Sequence, residues 1–188
     1  RSRGLGDVYK RQHEPQEGQF KAEGMLDFEA YFKLVKETGL YLIVRPTPYI
    51  CAEFDFGGLP AWLLRYPSMR LRVNHPLFLE KVSHFYDWLF PKLLPYQSDQ
   101  GGPILMMQVE NEYGSYAEDK AYMRSIAQMM KVRGVTVPLF TSDGTWIEAL
   151  ESGTLIEDDI FVTGNFGSQP KENTDNLRAF MERYGKKW

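Results

Sequence analysis

The sequence predicts an α/β fold, a parallel sheet covered by helices, and three observations predict it. Helical and strand patterns alternate along the chain. The strand runs are short and continuously apolar, as in strands buried on both faces. Each run gives way to polar residues at its C-terminal end. Such alternation builds βα units, whose parallel strands carry function at their C-terminal ends.

Residues 1–12, RSRGLGDVYKRQ, stand outside this pattern, with four Arg or Lys, two Gly and almost no apolar periodicity. They read as adapter-derived sequence, a flexible native tail being the alternative, and the fold is assigned to residues 13–188. Residues 26–38 are helical, since Phe28, Tyr31, Phe32 and Val35 follow the 3.6-residue period and Gly39 stops them. The apolar run 40–44 is a strand, followed by a long loop rich in Pro and Gly. Pro76 suits a first helical turn, and the stripe Phe78, Val82, Phe85, Leu89 and Leu93 continues the helix until Pro91 kinks or shortens it. His75, beside Pro76, reads as its cap. A Gly-Gly-Pro turn leads into a strand over 104–109. Ser115 and Glu118 have capping-box spacing for a helix with Tyr122, Ile126, Met129 and Met130 inward and Gly134 at its end. Strands over 137–140 and 159–162 flank a weak helical stretch at 146–151, and a helix over 174–184 closes at Gly185. Four parallel strands leave two raw edges without protecting Pro or Lys, so the sheet wants more strands.

With 43% apolar residues in 188 the chain can fill a core, although roughly 250 residues are typical of a closed (β/α)8 barrel. A net charge of −3, with basic residues scattered, argues against a nucleic-acid partner. No run approaches the ~18 apolar residues of a membrane span. The single cysteine, Cys51, excludes an intrachain disulfide and leans toward a reducing, cytoplasmic compartment; no leader is visible, and localisation and oligomeric state stay open. Aromatics at 14% fit either a sugar-binding cleft or a bulky core.

The strand exits read Arg45 to Glu53, Gln108 to Gly114, Thr141 to Gly144 and Thr163 to Phe166. Their acids and amides suit a polyhydroxylated ligand. Glu112, after a fully apolar strand, is either an acid placed for proton donation or, with Glu110, a charge favouring the start of the next helix. Strict alternation puts Asn111 and Glu112 on opposite faces unless a bulge or the exit turn intervenes. Glu53 is either ligand-facing or structural, and Asp55 caps the Gly57-Gly58 turn. Cys51 is a packed thiol or part of a pocket wall. His13, His75 and His84 have no metal-ligand spacing, and neither a metal nor a cofactor is implied.

The stretches RPTPYICAEFDFGGLPAWLL and QVENEYGSY, with His13-Glu14-Pro15 and Thr141-Ser142-Asp143-Gly144, resemble glycoside hydrolase family 35, the β-galactosidases. The resemblance implies an incomplete (β/α)8 TIM barrel, with about strands 3 to 6 present. It implies hydrolysis of terminal non-reducing β-D-galactosides, with a galactoside or oligosaccharide as the substrate and residues 13–188 as part of the catalytic domain. By the same resemblance Glu112 is the general acid/base and Asn111 binds the sugar 2-hydroxyl. Cys51, Ala52 and Glu53 contribute to the galactose subsite. The family's nucleophilic Glu follows the seventh strand and is absent from these residues, so the chain alone is expected to be inactive. Thr47 and Phe54 depart from residues common in the family. A sugar-binding pseudoenzyme, or a β-glucosaminidase or β-glucosidase on the same scaffold, are the alternatives.

Overall fold

A computed structural model describes residues 10–51 and 55–187. The elements run α1 (Lys10–His13), α2 (Phe28–Glu37), β1 (Leu42–Val44), α3 (Pro76–Leu93), β2 (Ile104–Gln108), α4 (Lys120–Val132), β3 (Leu139–Asp143), α5 (Ile147–Gly153), β4 (Phe161–Gly164) and α6 (Pro170–Arg183). Short 3-10 turns join them. The four strands form one parallel sheet in the order β1-β2-β3-β4. Ile43 pairs with Met106, Met107 with Leu139 and Phe140 with Phe161. This is the predicted α/β alternation, with the sheet left open.

The helices cover one face of that sheet. Phe32, Phe78, Phe85, Leu89, Tyr122 and Ile126 are buried in one cluster with Leu42, Val44, Ile104 and Met107 of the strands. A smaller cluster gathers Leu150, Val162, Leu177 and Phe180 beneath α6. The alternate strand residues Ile43, Leu105 and Phe161 stay 54%, 39% and 58% exposed. Period-2 geometry sends them to the opposite face, where among the described residues no helix covers them.

Helix ends follow local chemistry. Gly39, Gly134 and Gly185 take left-handed φ of 72°, 99° and 64° just past α2, α4 and α6. Beyond each, the next amide donates back into the helix: Leu40 to Val35, Val135 to Met130 and Lys186 to Met181, at 3.1, 3.3 and 3.0 Å. These are the six-to-one bonds of a Schellman end. At the N-termini the sequence reading needs two corrections. Asp119, not Ser115 with Glu118, caps α4; its Oδ1 accepts from the Tyr122 amide at 2.9 Å, while Oδ2 accepts from the Asn74 amide at 2.8 Å. His75 occupies the cap position of α3, but its side chain makes no capping bond.

Three boundaries move for identifiable reasons. Strand β3 starts after Pro138, which has no N–H to donate, and runs on through Thr141, Ser142 and Asp143 because β4 pairs with that polar stretch. Strand β4 starts after Asp159, whose φ of 57° interrupts extended structure. Helix α6 begins at Pro170, and the Asn173 side chain donates through Nδ2 to the Ser168 and Gln169 carbonyls across its first turn. The α-helix carrying Pro91 ends two residues later, at Leu93, in a 3-10 turn. The proposed split at residue 12 lies mostly in residues 1–9, outside the described residues.

Candidate active site

All four strand exits bring polar side chains together. From β1, Arg45 donates through Nη1 to Asn111 Oδ1 at 3.0 Å. From the end of β2, Gln108 Nε2 donates to the Glu110 carbonyl at 2.7 Å and to Asn111 Oδ1 at 3.2 Å. Past Gln108 the chain stops being a strand: Glu110 and Glu112 adopt φ of 56° and 45°. A non-glycine residue held there costs on the order of 1 kcal/mol or more, so the surroundings must over-determine it. The expected opposition of Asn111 and Glu112 therefore does not apply, because the pleat has ended.

What holds this turn is Glu110. It is fully buried, and its carboxylate takes four donors. Oε1 accepts from Arg72 Nε at 3.2 Å and from the Tyr122 hydroxyl at 2.6 Å; Oε2 accepts from Arg72 Nη2 at 2.9 Å and from the Asn111 amide at 2.8 Å. Arg72 also donates to the Asn111 carbonyl at 2.8 Å and lies 3.7 Å from the centre of the Tyr49 ring and 4.4 Å from that of Tyr116. Burial disfavours its cation, but the charge and hydrogen bonds of Glu110 outweigh this and raise its pKa. Tyr122 is raised well above its ordinary value, first by burial and then by Glu110. Glu110 is thus committed on every lone pair a donor can reach.

Glu112 differs in each respect. It is half-buried, its amide donates to the Ser142 carbonyl at 3.1 Å, and its Oε1 accepts from Asn165 Nδ2 at 2.9 Å. No hydrogen bond from a described residue reaches Oε2. Asn111 is similarly half committed: its Oδ1 is used twice, and among the described residues its Nδ2 has no acceptor. Behind them Asp143, 1% exposed, accepts from the Gly114 amide at 2.7 Å. Burial pushes its pKa up to about 6; the Gly114 amide and Lys120 oppose this, and the charges of Glu112 and Glu110 add to it. The approach is close enough that a Cβ on Gly153 would sit 2.1 Å from Asp143 Oδ1, and one on Gly114 1.9 Å from the Ala149 carbonyl oxygen. Both glycines are required by contact.

The remaining candidates fall differently. Cys51 is exposed, not packed, with φ 65°. Tyr49 has its own pKa raised, by burial first. Ala52 and Glu53 lie outside the described residues. His13 is buried, with Nδ1 2.7 Å from the Lys21 carbonyl; burial lowers its pKa. Glu14 is buried and accepts from the Gly18 amide at 2.9 Å. Glu148, Glu151 and Glu157 are exposed. Among the described residues no three His, Cys, Asp or Glu side chains are grouped to hold a metal, and no helix is long and apolar enough to cross a membrane. Sequence reasoning missed Arg72 and Asn165. Arg72 carries no local signal, being a basic residue in a loop; Asn165 stood in a recognised strand exit, where its polarity was the signal.

The site is an open rim. Two concavities of about 580 Å³ lie elsewhere, one between α3 and α4 against Leu79, Met129 and Val132, the other along the first turns of α6. The strand exits, where polar side chains from separate elements converge, are the candidate site.

A family model described as glycosyl hydrolases family 35 matches residues 8–187. The chain is 50% identical over 131 residues to β-galactosidase-1-like protein 3 of Rattus norvegicus, covering 70% of this chain and 21% of that protein. It is 46% identical over 158 residues to a β-galactosidase of Mus musculus, covering 83% and 24%. Identity to β-galactosidase 17 of Arabidopsis thaliana is 39% over 158 residues, covering 83% and 23%. The chain thus spans between a fifth and a quarter of the length of these relatives.

Proposed function

Since the chain belongs to glycosyl hydrolase family 35, we propose that it contributes the acid/base side of a site that removes terminal β-D-galactose from β-galactosides with retention. The names of the similar proteins support the galactoside, and the observation that carries the assignment is the contrast between two neighbouring glutamates. Glu110 has four donors on its carboxylate, while Glu112 has one and keeps Oε2 uncommitted. Only the second can hold a transferable proton.

In the proposed first step, the proton on Glu112 Oε2 passes to the glycosidic oxygen, which departs with the electrons of the C1–O bond. A second carboxylate forms the covalent glycosyl-enzyme. In the second step Glu112, now a carboxylate, takes a proton from the water that attacks C1, and the C1–O bond to the second carboxylate breaks to release it and the sugar. Asn111 Nδ2, which has no acceptor among the described residues, is proposed to donate to the sugar 2-hydroxyl, a contact that strengthens in the transition state. Cys51, Ala52 and Glu53 are proposed to line the galactose subsite. The nucleophile is proposed to come from outside this chain, with these four strands as the third to sixth of a (β/α)8 barrel. Glu110 and Asp143 are both engaged structurally.

Replacing Glu112 by Gln in the complete enzyme keeps the acceptor for Asn165 but removes the proton. Hydrolysis of an alkyl β-galactoside is expected to fall roughly 10²- to 10⁴-fold. Turnover at the wild-type rate would refute the assignment.

A further inference from the structure

We propose that Asn165, seated by Ser142, is a positioning residue for Glu112, turning its carboxyl so that Oε2 delivers and recovers the proton. This rests on the acid/base reading of Glu112 given above.

Asn165 is the first residue beyond β4, and its amide donates to the Asp143 carbonyl at 2.7 Å, fixing its backbone to β3. Its side chain is held at both ends. Nδ2 donates to Glu112 Oε1 at 2.9 Å, and Oδ1 accepts from Ser142 Oγ at 2.8 Å. A carboxylate can only accept, so the amide nitrogen must face Glu112, and the serine hydroxyl supplies the proton that the amide oxygen needs. The relay Ser142–Asn165–Glu112 thus joins β3, β4 and the exit of β2, the backbone of Glu112 being anchored independently by its own bond to the Ser142 carbonyl at 3.1 Å. Among the described residues nothing else grips the carboxyl. Without the relay a half-exposed glutamate retains its terminal torsion, which is broad, and several orientations of the proton-bearing oxygen compete. With it, Oε1 is occupied and only Oε2 is left without a donor among the described residues. The bond to Oε1 strengthens as the proton leaves Oε2 and charge builds on the carboxyl.

A purely structural Asn165 would tie the β4 exit to the β2 exit and affect all substrates alike. A positioning residue affects those whose leaving group needs a proton. The experiment compares kcat/KM of the complete enzyme for methyl β-galactoside, which needs protonation, and 2,4-dinitrophenyl β-galactoside, which does not. Asn165→Ala is expected to lower the first roughly ten- to thirtyfold and the second less than about threefold, the scale of one charge-assisted hydrogen bond. Asn165→Asp, of the same shape but unable to donate, should fall at least as far on the methyl galactoside. Equal losses on both substrates, or none, overturn the proposal. Glu112→Gln is run in parallel. If it abolishes methyl galactoside turnover while Asn165→Ala is silent, only the positioning role is lost. If Glu112→Gln is itself silent, the acid/base reading fails and the role of Asn165 fails with it.

Discussion

Asp143 shows how much a single residue depends on what surrounds it. In the sequence it is one acid in Thr-Ser-Asp-Gly; in the fold it is buried on the Gly114 amide, with a pKa raised from 3.8 to about 6 by burial above all. Between these values the folded protein holds a proton that the unfolded chain has released. Stability therefore falls as pH rises through this window and recovers as pH drops. At about 1.4 kcal/mol per pKa unit, the ionised side chain costs the fold roughly 3 kcal/mol above pH 6. Asp143→Asn keeps Oδ1 for Gly114 and removes the titration. Its stability relative to wild type is expected to rise by about 2 kcal/mol between pH 4 and 6.5, read from urea unfolding of the complete protein. A difference that stays constant across that range would contradict the assignment of the buried charge. The candidacy of Glu112 was legible from its place after an apolar strand, whereas the burial of Glu110 was not, because nothing local distinguishes two acids two positions apart.

At the scale of elements, the contact that most shapes the site is the clamp between the loop carrying Arg72 and the turn after β2. Arg72 itself holds φ 52° and packs between Tyr49 and Tyr116, while the Tyr113 hydroxyl donates to its carbonyl at 2.8 Å. Loop and turn therefore hold each other. Arg72→Ala would strand the Glu110 carboxylate without its cation, and breaking a buried pair in this way costs about 3–5 kcal/mol. That loss should appear in the urea midpoint of the complete protein, and a loss under about 1 kcal/mol would show that the turn is held by other means. Helix ends were legible wherever a glycine past the last periodic residue supplied a left-handed φ. The start of α4 was not, because Asp119 competes with Ser115 and wins by also accepting from Asn74 of another segment. The polar end of β3 was hidden for a similar reason: Ser142 and Asp143 look like loop until their partners, Asn165 and Gly114, are in place.

On the scale of the whole molecule, the four strands present one covered face and one bare one. Ile43, Leu105 and Phe161 project from the bare face, and β1 and β4 each have a free edge among the described residues. Exposed apolar surface of this kind, next to unpaired strand edges, favours association and loose packing. The 188-residue chain studied alone is accordingly expected to bind a hydrophobic dye and to melt without a cooperative transition. A sharp thermal transition with no dye binding would show that this face is satisfied within the chain.

The amino-acid sequence by itself determined the α/β alternation, the parallel sheet, the glycine-terminated helices and the cluster of polar strand exits, since these depend on periodicity and on neighbours a few positions apart. Tertiary structure alone decided which glutamate is saturated with donors and which keeps an oxygen without one among the described residues. Arg72 reaches Glu110 across 38 positions, Tyr122 across 12, and Asn165 reaches Glu112 across 53. Those partners come from separate elements, so the difference between a carboxylate saturated with donors and one with a free oxygen exists only once the strands are side by side.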